Sequence, residues 1–574
     1  MLATSGRSLL LEGEFRPKIE ASIPKYDLQG QSVAFGFLRC IIMTFGTFGS
    51  KTKVILYLRG EELIFVLSVK NRAAMIIGLG KSGIAAAKLA LARGASVLAL
   101  DQNETLKPLE QTIFNVKDGR LKTILGCFDH ELFDEADLIV VSHGVALENY
   151  CLASLLQSGK RVISELDFAA EVLPQCTKVL AVTGTNGKST VATFAGQMLN
   201  HSNIRTFVGG NLGIPLSEAA FECLLSPQEP YQAAVVEVSS YQLEIPNKFF
   251  SPSVSVILNL TPDHLERHKS MTNYSMIKCR VLSHMSGRKI AILPMGNPYI
   301  TDAIASHGNE YMFAWIGAYP GIKVDMEQKV ANFNVPGIGL LSQLPLNAMK
   351  AVGTHNYYNA AIAALSVIGL DVGIDTAAIS LTIDRLKAPP HRMQIVHEDG
   401  NGVTWVDDSK ATNVEATYAG LTGLKEKKAV VLLGGLSKML DAQGSNGFEH
   451  LIEPLKNHRG VVTVSDSFLL QHSHFTEAVK IIFSVNHHSC LASYIFIVIK
   501  FGSSGALIQD TLSSHGLAIP CLQAKDLKGA VSLAKNMAKP GDVILLSPGC
   551  ASFDEFINFE HRGNFFQELD LSMV

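Results

Sequence analysis

The fold of this chain is decided by one stretch, Lys178-Val-Leu-Ala-Val-Thr-Gly184-Thr185-Asn186-Gly187-Lys188-Ser189-Thr190. An apolar run predicts a buried strand, and the glycine loop after it leads into the helical pattern of residues 191–195. Glycines let backbone N–H groups turn toward a phosphate, and the positive end of the next helix points at the same place. Lys188 and Ser189 can neutralise phosphate and hold Mg²⁺. The stretch therefore predicts a nucleoside triphosphate site.

The loop departs from the common P-loop, in which the first glycine stands five positions before the second. This chain has Val182 at that position, so the loop is a Gly-x-x-Gly-Lys-Ser sequence. An ordinary strand-turn-helix that happens to carry a lysine is the alternative for this stretch taken alone.

Length and charge bound the possible functions. A chain of 574 residues predicts about three or four domains. With 49 Lys+Arg against 52 Asp+Glu and no basic stripe, a nucleic-acid partner is not expected. The nine cysteines are scattered without a Cys-x-x-Cys pair, which favours a reducing compartment. No apolar stretch reaches the roughly 18 residues that span a bilayer, so we expect a soluble protein with no membrane span. We also expect a monomer.

The first 72 residues form an extension without a usable motif, either a targeting segment or disordered. Ser, Arg and Leu with no acid before Glu12 resemble an organelle-targeting peptide, although Glu14 and Glu20 count against it. From Arg72 onward strands alternate with helices, which predicts an α/β fold with parallel sheets covered on both faces. The predicted strands include residues 73–77, 96–100, 233–236, 254–258, 403–406, 429–433, 461–464 and 542–546.

The first strand pair carries a dinucleotide fingerprint. Gly78-Leu-Gly80-Lys-Ser-Gly83 precedes a predicted helix at 84–92, and Asp101 ends the next strand. Taken alone this pattern suggests NAD. A second glycine loop, Ser142-His143-Gly144, follows another strand, so the two loops favour a nucleotide-type ligand, with glycines used only for tight packing as the alternative.

Later strands end in acidic and histidine side chains. Glu237 ends one strand, and Asp263-His264 follows the next, on the edge where open α/β sheets place ligands. Because Mg²⁺ prefers carboxylates and water, Glu237 and His264 are candidate metal contacts. A third unit begins after Pro389-Pro390, and the stretch 465–500 interrupts it as an insertion whose paired histidines fit a solvated loop better than a metal site.

Seven motifs in this order resemble those of the Mur ligases, and most closely the member that adds D-glutamate, over nearly everything from Arg72 to the C-terminus. They are Gly184-Thr-Asn-Gly-Lys-Ser-Thr190, Glu237-Val-Ser-Ser-Tyr-Gln-Leu-Glu244, Asp263-His-Leu-Glu-Arg-His268, Gly353-Thr-His-Asn-Tyr-Tyr-Asn359, Pro390-His-Arg392, Asp408-Ser-Lys-Ala-Thr-Asn413 and Ser547-Pro-Gly-Cys-Ala-Ser552. The last two, with Asn558-Phe-Glu-His-Arg-Gly563, point to the glutamate-adding member.

The resemblance implies a three-domain fold. A Rossmann-like N-terminal domain (73–171) would bind the UDP substrate, a central P-loop-type ATPase domain (172–386) would bind ATP, and a Rossmann-like C-terminal domain (387–574) would bind the amino acid. The implied enzyme is an ATP-dependent ligase that joins D-glutamate to UDP-N-acetylmuramoyl-L-alanine through an acyl phosphate, with ATP and Mg²⁺ as cofactors. The glycine-rich loops then belong to a uridine nucleotide rather than NAD.

The resemblance also assigns residues. Catalytic roles fall on Lys188, Glu237, His264 and Lys278; metal contacts fall on Ser189, Glu237, His264 and Lys278, the last as a carbamylated lysine, although by composition it is only a helix-surface cation. ATP contacts fall on the loop Gly184, Thr185, Asn186, Gly187, Lys188, Ser189 and Thr190, and on Asn356, Asn359, Arg392 and Asp408. D-glutamate positions are Thr412, Lys438, Ser552 and Phe559, and UDP-sugar positions are Ser82, Asp101, Ser142, Gly144, Asn211 and Ser239.

Several features depart from the family pattern. His143 stands where the family usually has proline, and Leu436-Ser437 stands where it often has an acid. The extension and the insertion are foreign to the pattern, and details such as Asn446-Gly-Phe-Glu-His450 resemble plant and algal homologues, which implies a plastid stroma location with cytoplasm as the alternative. Two other functions stay open: a folylpolyglutamate synthase, against which the domain from residue 73 counts, and a homologue that binds nucleotide, has lost turnover and acts through partners.

Overall fold

The structure, a computed structural model, describes residues 72–112, 119–127, 129, 131–211, 213–305, 311–337, 341–351, 353–424, 427–436, 446–464, 504–552 and 555–571, together with the backbone of three strands before residue 68. The insertion predicted at 465–500 and the candidate Lys438 lie outside these described residues. The chain divides into two compact units. The first comprises 1–177, 213–231 and 241–250, and the second comprises 178–212, 232–240 and 251–574.

The N-terminal extension contains a three-stranded antiparallel sheet in the order β1 (Leu38–Thr47), β2 (Ser50–Arg59) and β3 (Glu62–Leu67). The sequence pattern predicts no element here, because its apolar and charged patches follow no strict period.

The rest of the first unit is built on a five-stranded parallel sheet, ordered β6-β5-β4-β7-β8. Its apolar strands are buried, and Ile77 and Val141 belong to one core cluster. The strands are β4 (Ala73–Ile77), β5 (Ser96–Asp101), β6 (Leu121–Leu125), β7 (Leu138–Val141) and β8 (Val162–Ser164). The helices are α1 (Lys81–Ala92), α2 (Leu109–Thr112), α3 (Leu132–Glu135), α4 (Leu152–Gln157) and α5 (Glu165–Ala170).

Two buried acids on α5 hold later parts of the chain in this unit. The carboxylate of Asp167 accepts hydrogen bonds from the backbone N–H groups of Lys248, Phe249 and Phe250 at 2.7–3.0 Å. Glu165 accepts one from the N–H of Ser217 at 2.8 Å. A buried carboxylate needs donors, so these two acids tie residues of 213–231 and 241–250 to α5 within the first unit.

The second unit contains a nine-stranded sheet, ordered β10-β11-β9-β12-β13-β14-β15-β16-β17, whose last pairs are antiparallel. Its strands are β9 (Lys178–Thr183), β10 (Thr206–Gly210), β11 (Ala233–Glu237), β12 (Val254–Ile257), β13 (Ile290–Pro294), β14 (Met312–Ile316), β15 (Gly321–Asp325), β16 (Val330–Asn334) and β17 (Leu341–Pro345). The helices of this stretch are α6 (Lys188–His201), α7 (Leu216–Leu225), α8 (Leu265–His268), α9 (Met271–Cys279), α10 (Pro298–Ala305), α11 (His355–Gly369) and α12 (Thr376–Ser380), of which α7 belongs to the first unit. The phosphate-loop strand β9 thus lies inside the sheet, between β11 and β12.

A six-stranded sheet completes the second unit, ordered β18-β19-β23-β20-β21-β22 and parallel except for β18. Its strands are β18 (Gln394–Glu398), β19 (Thr404–Asp407), β20 (Ala429–Gly434), β21 (Gly460–Val464), β22 (Cys521–Ala524) and β23 (Val543–Leu546). The helices are α13 (Val414–Gly423), α14 (Ile452–Leu455), α15 (Ser504–Ser514), α16 (Leu527–Met537) and α17 (Phe559–Leu571). Both faces of this sheet are covered by apolar clusters.

The predicted α/β class and parallel sheets are confirmed. The eight predicted strands agree with the structure to within one residue at each end. Helix α1 begins at Lys81, three residues before the predicted start at 84. The extended residue Gly80 is its N-cap, so the helical conformation starts with the next residue. Within the described residues, no helix combines the length and the apolar character that crossing a bilayer requires.

Candidate active site

The phosphate loop is a tight turn between β9 and α6. Gly184 and Gly187 have φ angles of 138° and 86°, which favour glycine, and a Cβ on Gly187 would lie 3.1 Å from Asn359 Oδ1. Asn259 braces the loop, accepting from the N–H of Asn186 at 2.8 Å and donating to its carbonyl at 3.1 Å. Lys188 Nζ folds back onto the loop, donating to the carbonyls of Gly184 and Thr185 at 3.0 and 2.8 Å. The loop is therefore held in shape by side chains of its own unit.

Glu237, at the end of the neighbouring strand β11, points a buried carboxylate toward the loop. It is 2% exposed, and Oε1 accepts a hydrogen bond from Asn211 Nδ2 at 2.8 Å. Oε2 has no hydrogen-bond partner among the described residues. Burial acts to raise the pKa of Glu237, but the charges of Lys410 and Lys188 outweigh it, so the pKa is lowered and the group is a carboxylate at neutral pH.

A hard divalent cation fits this donor chemistry. The buried carboxylate of Glu237 lies beside the hydroxyl of Ser189, and together they offer the oxygen ligands that Mg²⁺ prefers. The described residues contain no cluster of three His, Cys, Asp or Glu side chains able to enclose a metal. A cation here would therefore take most of its ligands from phosphate oxygens and water, as Mg²⁺ usually does.

Lys278 lies in the same cluster rather than on a helix surface. It is 2% exposed, its Nζ donates to the carbonyl of Gly184 at 3.0 Å, and Nζ stands 4.8 Å from the centre of the Tyr274 ring. Burial and the charge of Lys188 lower the pKa of Lys278 well below its usual value, against the pull of Asp263 and Glu237. The composition-based interpretation of Lys278 as a surface cation is therefore wrong, because the Tyr274 ring and the phosphate loop at Gly184 cover the amine.

His264 points elsewhere. Its side chain is 35% exposed, with Nε2 lying 3.5 Å from Asp263 Oδ2 and Nδ1 3.5 Å from Glu266 Oε1. Its backbone has a φ of 55°, just before the short helix α8. The ring thus lies between two carboxylates at the sheet edge, whereas Lys188, Glu237 and Lys278 interact with one another directly through their charges.

Lys410 brings the C-terminal sheet to the phosphate loop. It follows β19, and its Nζ donates to Ser189 Oγ at 2.8 Å while standing 4.9 Å from the centre of the Phe559 ring. Burial and the charges of Arg392 and Lys188 lower the pKa of Lys410 to about 8, although Glu237 opposes them. The side chain amide of Asn413 also reaches Asn186 Oδ1, at 3.4 Å. Two sheets therefore share one polar edge.

The four remaining residues assigned to ATP lie close to this edge. Asn356 is buried and accepts from Asn359 Nδ2 at 3.1 Å, and Asn359 adjoins Gly187. Asp408 is 4% exposed and accepts from Ser547 Oγ at 2.8 Å and from the N–H of Met393 at 3.2 Å. Burial raises the pKa of Asp408 to about 7, and the hydrogen bond from Ser547 and the charge of Arg392 only partly offset it.

The guanidinium of Arg392 interacts electrostatically with two acids of this edge, Asp408 and Glu237. Burial lowers the pKa of Arg392, while the charges of Asp408 and Glu237 act in the opposite direction. Its Nε is buried and makes no hydrogen bond to the described residues. A buried donor of this kind is costly without a partner, which a bound phosphate or ribose oxygen would supply.

Of the four positions assigned to D-glutamate, three are described. Thr412 is half-buried and its N–H bonds to the carbonyl of Lys410 at 3.0 Å. Ser552 is buried, and Phe559 is the first residue of α17. These three residues lie on different segments near the C-terminal sheet. Lys410 Nζ lies over the ring of one of them, Phe559.

The positions assigned to the UDP-sugar divide between the two units. Ser82, Asp101, Ser142 and Gly144 belong to the first unit, where Asp101 Oδ2 accepts from the N–H of Leu79 at 2.6 Å. Ser142 Oγ donates to the carbonyl of Gly78 at 2.7 Å, and Ser82 Oγ lies 3.4 Å from His143 Nδ1.

Asn211 and Ser239 belong to the second unit, where Asn211 is tied to Glu237. In the first unit, by contrast, the hydrogen bonds from Leu79 to Asp101 and from Ser142 to Gly78 join the glycine-rich loops into one hydrogen-bonded surface.

Two site residues are absent from the sequence-based candidates. Lys410 lies inside a quoted motif but has no assigned role, and a cation directly after a strand end was the available signal. Asn259 follows β12 in the same way. Their partners, Ser189 and Asn186, are 221 and 73 residues away, so the contacts themselves were not visible in the sequence.

Family models match three successive parts of the chain. The Mur ligase MurD-like N-terminal domain matches residues 72–164, the Mur ligase middle domain matches 182–367, and the Mur ligase glutamate ligase domain matches 391–550. All three matches fall in one order along a single chain, as the motif order requires.

Full-length relatives agree with these matches. The chain is 30% identical to the UDP-N-acetylmuramoylalanine–D-glutamate ligase of Koribacter versatilis, over 88% of this chain and 99% of that protein. It is 32% identical to the protein of the same name from Anaeromyxobacter dehalogenans, over 87% and 98%. The MurF ligase of Thermotoga maritima, solved with ADP, has the same fold, with a TM-score of 0.50 and 16% identity over 88% of this chain and 96% of that one. The chain belongs to the Mur ligase family.

Proposed function

We propose that this protein is an ATP-dependent ligase that adds D-glutamate to UDP-N-acetylmuramoyl-L-alanine in peptidoglycan precursor synthesis. The observation that carries the proposal is the gathering of Lys188, Lys278, Glu237 and Lys410 around one glycine loop, at an edge shared by two sheets. Relatives named for this reaction match almost their whole length, which supports the choice of substrates.

The chemistry explains why so many charges meet here. A carboxylate is a poor electrophile, so one of its oxygens first attacks the γ-phosphorus of ATP, the bond to the bridging oxygen breaks, and ADP leaves. The amine of D-glutamate then attacks the carbonyl carbon of the acyl phosphate. The tetrahedral intermediate expels inorganic phosphate, and the nitrogen loses a proton. Negative charge is redistributed in every step, so positioning and charge neutralisation supply most of the rate.

The chain's own groups suit these steps. Lys188 and the N–H groups of the loop would hold the phosphates, and Lys410 would leave Ser189 to neutralise charge on the transferred phosphoryl group. Ser189 and Glu237 would hold Mg²⁺, which would supply further charge neutralisation when bound.

We also propose that Lys278 reacts with carbon dioxide to form a carbamate. That reaction needs a neutral amine, and the burial of Lys278 lowers its pKa in the required direction.

A coupled assay tests the proposal. Purified protein is given ATP and Mg²⁺, and ADP release is measured with both substrates, with each alone and with L-glutamate in place of D-glutamate. We expect release only with both, together with the UDP-muramoyl dipeptide by mass spectrometry. ATP binding without dependent release would instead support a homologue that has lost turnover, and release driven by a folate substrate would support a folylpolyglutamate synthase.

A further inference from the structure

The C-terminal helix α17 is fastened to the loop that carries Asp408 and Lys410. Gln567 Nε2 donates to Asp407 Oδ2 at 2.7 Å, and His391 Nδ1 donates to the same oxygen at 2.7 Å. The other oxygen, Oδ1, accepts from the N–H of Ser409 at 2.9 Å. Asp407 is fully buried, so its carboxylate depends on these donors.

The helix also reaches the loop two residues after Asp407. Arg562 Nε donates to Ser409 Oγ at 3.0 Å and Nη2 donates to the Ser409 carbonyl at 2.8 Å, while Ser409 Oγ donates to the carbonyl of Phe559 at 2.8 Å. Gly563 makes this approach possible, because a Cβ there would lie 2.1 Å from His391 Nδ1. The helix and loop therefore form one hydrogen-bonded body.

This body ends at the phosphate loop. The N–H of Lys410 donates to the carbonyl of His391 at 3.0 Å. His391 therefore connects Asp407, which accepts from its imidazole ring, to the backbone of Lys410. From there Lys410 Nζ reaches Ser189 Oγ at 2.8 Å. The path from α17 to the phosphate loop thus runs through Gln567, Asp407, His391 and Lys410.

We propose that Gln567 and Asp407 are positioning residues, which fix His391 and through it the place of the Lys410 ammonium at the phosphate loop. The inference rests on the proposed function for its kinetic consequence but not for its structural one. The amide of Gln567 matters as a donor: without it, Asp407 Oδ2 keeps only the imidazole, and the His391–Lys410 segment gains freedom. A displacement of about 1 Å at a reacting charge can cost about 100-fold in rate.

The test compares four full-length proteins: wild type, Gln567→Leu, Gln567→Lys and Glu568→Leu. The leucine removes the donor, the lysine keeps one, and the third change makes the same leucine substitution at the exposed neighbour on the same helix. We expect kcat to fall about 10- to 100-fold in Gln567→Leu with the KM for ATP within about 3-fold of wild type, because charge placement acts in the transition state. Gln567→Lys and Glu568→Leu should keep kcat within about 3-fold.

A second measurement does not depend on turnover. Lysine acetylation followed by peptide mass spectrometry reports how accessible Lys410 is, with Lys535 on α16 as the internal reference. We expect Lys410 to react about 5-fold faster in Gln567→Leu than in wild type or Glu568→Leu, with Lys535 unchanged. Equal Lys410 labelling in Gln567→Leu and wild type would overturn the proposal, as would an unchanged kcat in an active enzyme.

The two proposals can fail separately. If wild type shows no substrate-dependent ADP release, the proposed function fails, and the labelling contrast still decides the positioning role. If Gln567→Leu labels Lys535 faster as well, the domain has loosened, and Asp407→Asn, which keeps the side-chain volume, makes the same comparison with the same deciding outcomes.

Discussion

Asp408 makes the stability of the C-terminal sheet depend on pH, and the replacement Asp408→Asn should remove that dependence. Burial raises the pKa of Asp408 from its usual 3.8 to about 7 in the folded protein. Between these values the folded chain binds a proton that the unfolded chain has lost. Stability is therefore fully present below pH 4 and decreases as pH rises toward 7.

The magnitude follows from the interval. It spans about three pH units, each worth about 1.4 kcal/mol, so wild type loses about 4 kcal/mol of unfolding free energy between pH 4 and pH 7. Asparagine resembles the protonated acid: its oxygen can accept from the N–H of Met393, and the Ser547 hydroxyl can rotate to accept from its amide. Asp408→Asn should be more stable than wild type by up to about 4 kcal/mol at pH 8, with little difference near pH 4.

The assay is urea unfolding from pH 5 to 8, followed by tryptophan fluorescence. The chain has two tryptophans, and Trp405 is buried in the C-terminal sheet, so a Trp315→Phe background reports the sheet that contains Asp408. A stability difference between the two proteins that stays constant across this range would refute the reasoning. Asp408→Asn should also raise the KM for ATP, since stabilising a buried ligand contact commonly costs function.

Three further predictions concern the phosphate loop. Lys188→Ala should lower substrate-dependent ADP release by about 100- to 1000-fold, whereas the exposed Lys178→Ala should leave it unchanged; equal rates would remove Lys188 from the phosphate site. Glu237→Gln should raise the Mg²⁺ concentration for half-maximal activity by at least about 10-fold in a magnesium titration, and an unaltered requirement would exclude Glu237 as a cation ligand. Lys278 should carry a carbon dioxide adduct, because its lowered pKa favours the neutral amine that this reaction needs, and native mass spectrometry should find none in Lys278→Arg; full activity in that variant would contradict the carbamate.

The sequence could predict those features of the fold that depend on a few neighbouring residues. Strands such as 73–77 and the loop at Gly184 are visible because apolar runs and glycines act over a few residues. The antiparallel strands β15 to β17 were not predicted, since they lack the continuous apolar run that marks the buried parallel strands. The burial of Lys278 could not be predicted from its helix, because it depends on the carbonyl of Gly184, 94 residues away.

The same limit applies to the C-terminal sheet. Asp408-Ser-Lys410 stands out as a polar run after a strand, but its partners do not. Gln567 is 160 residues from Asp407, and Ser189 is 221 residues from Lys410. Contacts at such separations are decided by the topology of the sheets, which places strand ends together, and not by any pattern near the residues themselves.

The carboxylate of Asp167 also limits how this gene can be divided. The chain passes between the two units five times, at 177/178, 212/213, 231/232, 240/241 and 250/251. A contiguous piece ending near residue 171 would keep Asp167 but lose the three N–H donors that it satisfies. The first unit therefore cannot be separated as one contiguous segment without leaving a buried acceptor that lacks its donors.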